Sequence, residues 1–202
     1  HDALPISGDD TTSPFKTAFR TGYSEILELF ERYQYTVVQA SKHEMSCCKG
    51  CSTCCFHWVE DVYCFEAEYI NEYVRNHFPS KIDDLITQFR ADQQEMERLD
   101  AIMNQTLLEH AGEEEAASID SVDLLLASFY QLRRPCAFLN SDGSCAIYPV
   151  RPLTCRIYLS FSDPLYCDPA YINETDVRTY LLDLEEEASE LLDALHMKLD
   201  RY

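Results

Sequence analysis

"CCKGCSTCC", Cys47 to Cys55, places five of the chain's ten cysteines in nine residues. Three chemistries use so dense a run: a redox dithiol, a disulfide knot or a metal clamp. Length bears on the choice. At 202 residues the chain can bury a core of its own and has no need of disulfides in order to fold. Within the stretch, Cys48-x2-Cys51-x2-Cys54-Cys55 has the two-residue gaps that let neighbouring thiolates wrap one ion, with sulfur about 2.3 Å from the metal. Gly50 falls in the first gap, where backbone must turn tightly around an ion. The Cys54-Cys55 doublet is unusual. Adjacent side chains are expected to diverge, so the pair is read as serving two metals, two corners of a cluster, or a bridge.

A second segment supplies Cys136, Cys145, Cys155 and Cys167, with eight, nine and eleven residues between them. Eight thiolates could close two tetrahedral sites, or hold one cluster with ligands left for a second ion. The halves lie about eighty residues apart, so a shared metal would staple early to late chain and add folding free energy by closing a long loop. Charge follows the same grouping. Residues 131–160 carry Arg133, Arg134, Arg151 and Arg156 against a single acid, Asp142, in a chain with 36 acidic and 16 basic residues. Arg151 and Arg156 lie between or beside the cysteines and are expected to favour thiolates and donate hydrogen bonds to sulfur. Arg133 and Arg134 read equally well as surface residues paired with acidic helices.

The net charge of −20 disfavours nucleic acid and anionic membrane surfaces as partners. No apolar run reaches the roughly 18 residues that span a bilayer, and residues 1–15 lack signal-peptide regions, so the expected location is cytoplasmic. No pair of the five glycines has phosphate-loop or dinucleotide spacing.

The remaining pattern is mainly α: amphipathic helices around two cysteine-rich irregular segments that form one metal centre. Residues 1–13 read as a disordered lead-in and 14–202 as a single helical metal-binding domain, with a cysteine-cluster module over 48–167. A long helix begins at Pro14 and carries Phe15, Phe19, Tyr23, Leu27 and Phe30 on one face. Two more, around Phe65–Val74 and Ile82–Leu107, are expected to form a helical hairpin. A charged connector at 111–121 leads to a short helix whose Leu124–Leu126 run is expected to be buried. A final helix is expected over 171–200, with Tyr180, Leu181, Leu191 and Leu192 inward.

The motif "CKGCSTCC" together with "CAFLNSDGSCAIYPVRPLTCR" resembles the YkgJ-like cysteine-cluster family, named for Cys-x2-Cys-x2-Cys-Cys and described as zinc- or iron-chelating. Its second block, C-x-F-L, C-x-I-Y and R-P-x-x-C-R, corresponds to Cys136–Leu139, Cys145–Tyr148 and Arg151–Arg156. The resemblance implies bound Zn2+ or Fe, with an iron–sulfur cluster among the options. Flagellin lysine N-methylase belongs to the same family, so an iron–sulfur enzyme or electron carrier, with protein lysine N-methylation as one activity, is the alternative to a chelating protein. After Cys155-Arg156 the chain departs from the family's short x-[FY]-P continuation, which leaves open whether Cys167 or His57 completes the set.

The rivals are weaker. No strand or βαβ pattern precedes the cysteines, as a thioredoxin-like centre would require, and four thiols in eight residues would scramble. A disulfide knot needs export and a small domain. The expected ligands are therefore Cys48, Cys51, Cys54, Cys55, Cys136, Cys145, Cys155 and Cys167. Cys47 is read as a bystander, Cys64 as a buried apolar residue, His57 as hydrogen-bonded, and Trp58 as packing over the site. His43, His77, His110 and His196 are read as solvent-facing. The metal ion is the one partner the sequence implies; it names no protein partner and leaves enzymatic activity open.

Overall fold

The computed structural model describes residues 14–48, 50–109, 121–171, 178–182, 184 and 186–199. The expected lead-in, His110 and the connector 111–120 lie outside the described residues. The chain forms two compact units, His1–His43 and Glu44–Tyr202.

In the first unit, helix α1 spans Pro14–Ala40. Pro14 occupies the first helical position, where its missing N–H costs nothing and its fixed φ suits the helix. Tyr23, Leu27 and Phe30 follow at helical steps on one face, and the Phe30 and Tyr33 rings meet edge to face at 6.0 Å.

The second unit holds both cysteine segments. Helix α2, Cys64–His77, begins where the buried Glu66 carboxylate turns back to accept the Tyr63 backbone N–H at 3.0 Å, satisfying one of the donors a helix start leaves free. Pro79 then breaks the chain into a short 3-10 turn, Pro79–Lys81, before the long helix α3, Ile82–Glu109. The expected α2–α3 hairpin is not the main pairing. The chain returns along α3 as α4, Ser121–Gln131, and Gln88 of α3 reaches the Pro135 carbonyl just past α4's end. The two helical patterns adjacent in sequence pack together near their junction. There Val74, Leu85, Ile147 and Val150 form a buried cluster with Ile70, Tyr73, Phe78, Phe138 and Cys145 packed against it. Burial of such side chains stabilises by about 1.5–3 kcal/mol each, and this core is the floor beneath Cys145.

Within α4 the buried residues are Phe129 and Tyr130, whereas Leu124 is exposed. The three-leucine run winds around the helix, so only part of it can face inward.

The segment 133–170 consists of ordered turns, as expected, punctuated by a four-residue helix, α5, Thr154–Ile157. It leads into strand β1, Tyr158–Ser160, which pairs antiparallel with β2, Thr179–Leu181. Tyr158 lies opposite Leu181, Leu159 opposite Tyr180, and Ser160 opposite Thr179. The expected continuous helix over 171–200 is therefore overturned. Among the described residues of that range only Glu186–Leu199 is α-helical, as α6, and Leu181 and Leu191 are exposed while Leu192 is buried. The Thr-Tyr-Leu run gains a ladder partner in β1, and the adjoining Leu182 N–H is taken by Ile157 O at 2.7 Å, non-local bonds that a helical periodicity count cannot see. Helix α6 docks on α2. His196 Nδ1 accepts the Cys64 N–H at 3.0 Å, and Asp193 accepts the Tyr63 hydroxyl at 3.1 Å. His196 is thus a structural partner rather than a solvent-facing residue. His43 and His77 are exposed, as expected.

Candidate metal centre

Two arms of chain, 46–57 and 136–167, build the centre, and they are joined at four points. At the entrance, Ser160 O accepts both the Ser46 N–H and the Ser46 hydroxyl, each at 2.9 Å, and Ser160 N–H is directed at Cys47 Sγ at 3.2 Å. Next, the backbone at Gly143 lies directly on Gly50: a Cβ built on Gly143 would stand 2.9 Å from Gly50 O. Third, Cys136 N–H donates to Cys55 O at 2.7 Å. Finally, His57 Nε2 bonds Cys167 O at 3.0 Å; a carbonyl only accepts, so this nitrogen carries the proton.

Local turns aim the thiols. Cys51 N–H closes on Cys48 O at 3.0 Å, with Gly50 at φ +90° between them. The doublet rides on a 3-10 turn, Thr53–Phe56. In the other arm, Asn140–Ser144 forms a tight turn closed by Asn140 N–H to Ser144 O at 2.8 Å, with Gly143 at φ +79° and Asp142 accepting the Ser144 N–H at 3.0 Å. This turn sets Cys145 across from Leu139. Farther on, the fully buried Arg156 donates to Pro149 O and Arg151 O, both at 2.9 Å. The second Glu66 oxygen accepts Leu153 N–H at 2.8 Å. One buried cation and one buried carboxylate thereby fix the path of 149–156 and with it Cys155. Sequence reasoning had no signal for Glu66, because its partner lies 87 residues away.

The thiols so placed influence one another. A hydrogen bond from Cys55 is the main cause that holds the Cys54 thiol down to about 7; its own backbone N–H and the Arg151 charge add to this, against the loss of solvation. The same contact pushes Cys55 strongly up. The two thiols of the doublet, carried on one 3-10 turn, therefore interact with each other. Burial pushes the thiols of Cys136 and Cys145 up, and the Cys54 charge adds to both. Cys155 keeps one side open to solvent, yet water lost on its enclosed side, then Cys136, Cys54 and Cys145, push it up to about 12. Burial likewise raises Cys47 and Cys167, which both feel Cys51 and Cys54. Cys54 influences all these groups, and it is exposed, as is Cys48.

Arg151 faces the cluster. Its charge favours the thiolates of Cys47, Cys54, Cys145 and Cys155. Its guanidinium lies 4.0 Å over the Tyr148 ring, and its buried Nε has no hydrogen-bond partner. Arg156 adds a smaller influence on Cys145. Arg133, exposed, pairs with Asp168 at 2.7 Å in the turn segment, and the half-buried Arg134 pairs with the buried Asp92 of α3 at 2.6 Å, so both meet acids as expected but only the first is a surface residue. His57 packs at 4.4 Å from the Tyr130 ring, and burial lowers its basicity. Trp58 meets Phe129 edge to face at 5.2 Å, so it packs on α4. Cys64 is half-buried, its thiol 3.8 Å from His196 O.

Among the described residues, no three His, Cys, Asp or Glu side chains stand in the spacing of a closed metal shell. The donor chemistry nevertheless fits a soft-ligand ion. The set is all sulfur, it is backed by a guanidinium Nε with a free proton, and no carboxylate of the described residues joins it. No described helix is long and apolar enough to cross a membrane.

A family model described as "CxxCxxCC: Putative zinc- or iron-chelating domain" matches residues 47–179. No curated protein and no solved structure is similar enough to match the chain.

Proposed function

The chain belongs to the CxxCxxCC family, and on that premise we propose that its two arms jointly hold zinc or iron through thiolates. Cys54, Cys55, Cys136, Cys145 and Cys155 form the inner ligand group, with Cys51 and Cys167 extending it. Bound metal supplies a positive charge that keeps the thiols deprotonated. Cys54 ionises first, Arg151 balances the charge of the thiolates and offers its Nε–H to sulfur, and Arg156 and Glu66 hold the second arm in place. The observation that carries this reading is the joining of the two arms at their cysteines, Cys136 N–H to Cys55 O at 2.7 Å and Ser160 N–H to Cys47 Sγ at 3.2 Å.

The reading is a closed, chelating module. An all-thiolate set with its positions filled leaves no open coordination site for a substrate. A multinuclear or iron–sulfur cluster is the second reading, favoured by one observation: Cys54 influences six other thiols, more than one tetrahedral ion can take. Anaerobic purification with metal and sulfide analysis tests both. A colourless protein with zinc supports the chelating module; a brown one with iron and sulfide supports the cluster. A folded protein that binds neither metal contradicts both.

A further inference from the structure

Within this metal-binding reading, on which it rests, we propose that Cys47, and not the motif residue Cys48, is the ligand contributed by the start of the first arm. Its sulfur is held in place by the Ser160 backbone N–H at 3.2 Å.

The spacing argument prefers Cys48, because Cys48-x2-Cys51 is the tighter fit. The fold reverses that preference. Ser46 is clamped twice onto Ser160 O, which fixes the peptide immediately before Cys47. Ser160, itself fully buried, sends its backbone N–H to Cys47 Sγ at 3.2 Å. Backbone N–H donation to sulfur is how proteins stabilise ligating thiolates and orient their lone pairs. Strand pairing leaves that N–H available: Ser160 lies opposite Thr179 at the end of the β1–β2 ladder. Cys167 is buried, and its carbonyl is held by His57, so its position too is fixed before any ion arrives. Cys48 contributes its carbonyl to the turn, accepting the Cys51 N–H at 3.0 Å.

Differential alkylation of the full chain tests the assignment without relying on a variant that folds. The reduced protein is treated with iodoacetamide, with and without Zn2+, and the modified cysteines are located by tandem mass spectrometry. Zn2+ is expected to slow modification of Cys47 on the order of tenfold, with Cys48 nearly unaffected. Protection of Cys48 with Cys47 still reactive would overturn the assignment. Equal protection of both is resolved by metal content. Full Zn2+ loading of Cys48→Ser together with reduced loading of Cys47→Ser supports the assignment, and the reverse overturns it. Protection of no cysteine in either arm overturns the metal reading itself, and the assignment with it.

Discussion

Gly50 and Gly143 touch through their backbones: a Cβ added at Gly143 would stand 2.9 Å from Gly50 O and 3.4 Å from Gly50 Cα. This is where the turn inside the first cysteine motif lies on the turn that delivers Cys145. Both residues also adopt positive φ, which side chains disfavour by about 1–2 kcal/mol. Gly143→Ala is therefore expected to lower stability by about 2 kcal/mol or more and to weaken metal binding, as read by denaturant titration and metal content. Gly22, which has nothing within 4 Å of a built Cβ and lies in α1, is the control. Gly22→Ala should leave metal binding unchanged and stabilise by about 0.5–1 kcal/mol. Equal tolerance of alanine at both positions would contradict the close approach.

Glu66 couples α2 to the second arm by accepting from Tyr63 N and Leu153 N. Removing a buried acceptor leaves its donors unpaired, at about 1–3 kcal/mol each. Glu66→Ala should cost several kcal/mol of unfolding free energy, and Glu66→Gln less. In Glu66→Gln one amide oxygen can still accept, while the NH2 group faces a donor. A thermal shift in the opposite order would speak against the two-way clamp.

Arg151 and Arg156 are expected to separate function from stability. Arg156→Ala deprives Pro149 O and Arg151 O of their donors. Because hydrogen bonds to charged groups contribute about 1.5–3 kcal/mol, it should destabilise strongly. Arg151→Gln should leave the melting temperature nearly unchanged but raise the pH at which Cys54 ionises and weaken metal binding. The Cys54 thiolate is visible by its ultraviolet absorbance in the metal-free protein. Similar melting losses in both variants, with no change in Cys54 ionisation, would contradict the division.

The pH dependence has a defined sign. Cys54 is held down to about 7, below the ordinary thiol range. Its contribution to the stability of the metal-free protein is complete above the unfolded value and is lost as pH falls through about 7. Cys155 is pushed up to about 12, so its contribution is complete at neutral pH and is lost as pH rises through that value. At pH 8, iodoacetamide should therefore modify Cys54 well before Cys155. Because most of the set must lose protons to bind, metal loading should release protons and weaken steadily as pH falls. A pH-independent affinity between pH 6 and pH 8 would be inconsistent with thiol ligands.

The helices were legible in the sequence where apolar periodicity was long. Pro14 starts α1 and Pro79 separates α2 from α3. The pairing of the two cysteine segments was legible in their four-and-four count. Three features were not. The β1–β2 ribbon consists of three-residue runs too short for any period, and its stability comes from cross-strand bonds. The long-range clamps, Glu66 to Leu153 and Ser46 to Ser160, join residues with no spacing relationship. The contact between Cys54 and Cys55 depends on a 3-10 turn that spacing rules for regular helix and strand do not describe.

The central claim, that both arms hold one metal centre together, is tested most directly by metal equivalents per chain. The measurement compares the wild type with Cys55→Ser in the first arm and Cys136→Ser in the second, residues joined by the Cys136 N–H to Cys55 O bond. A shared centre predicts that each substitution alone lowers bound zinc or iron to a similar extent. Metal content unchanged in either variant, with the protein folded, would contradict it.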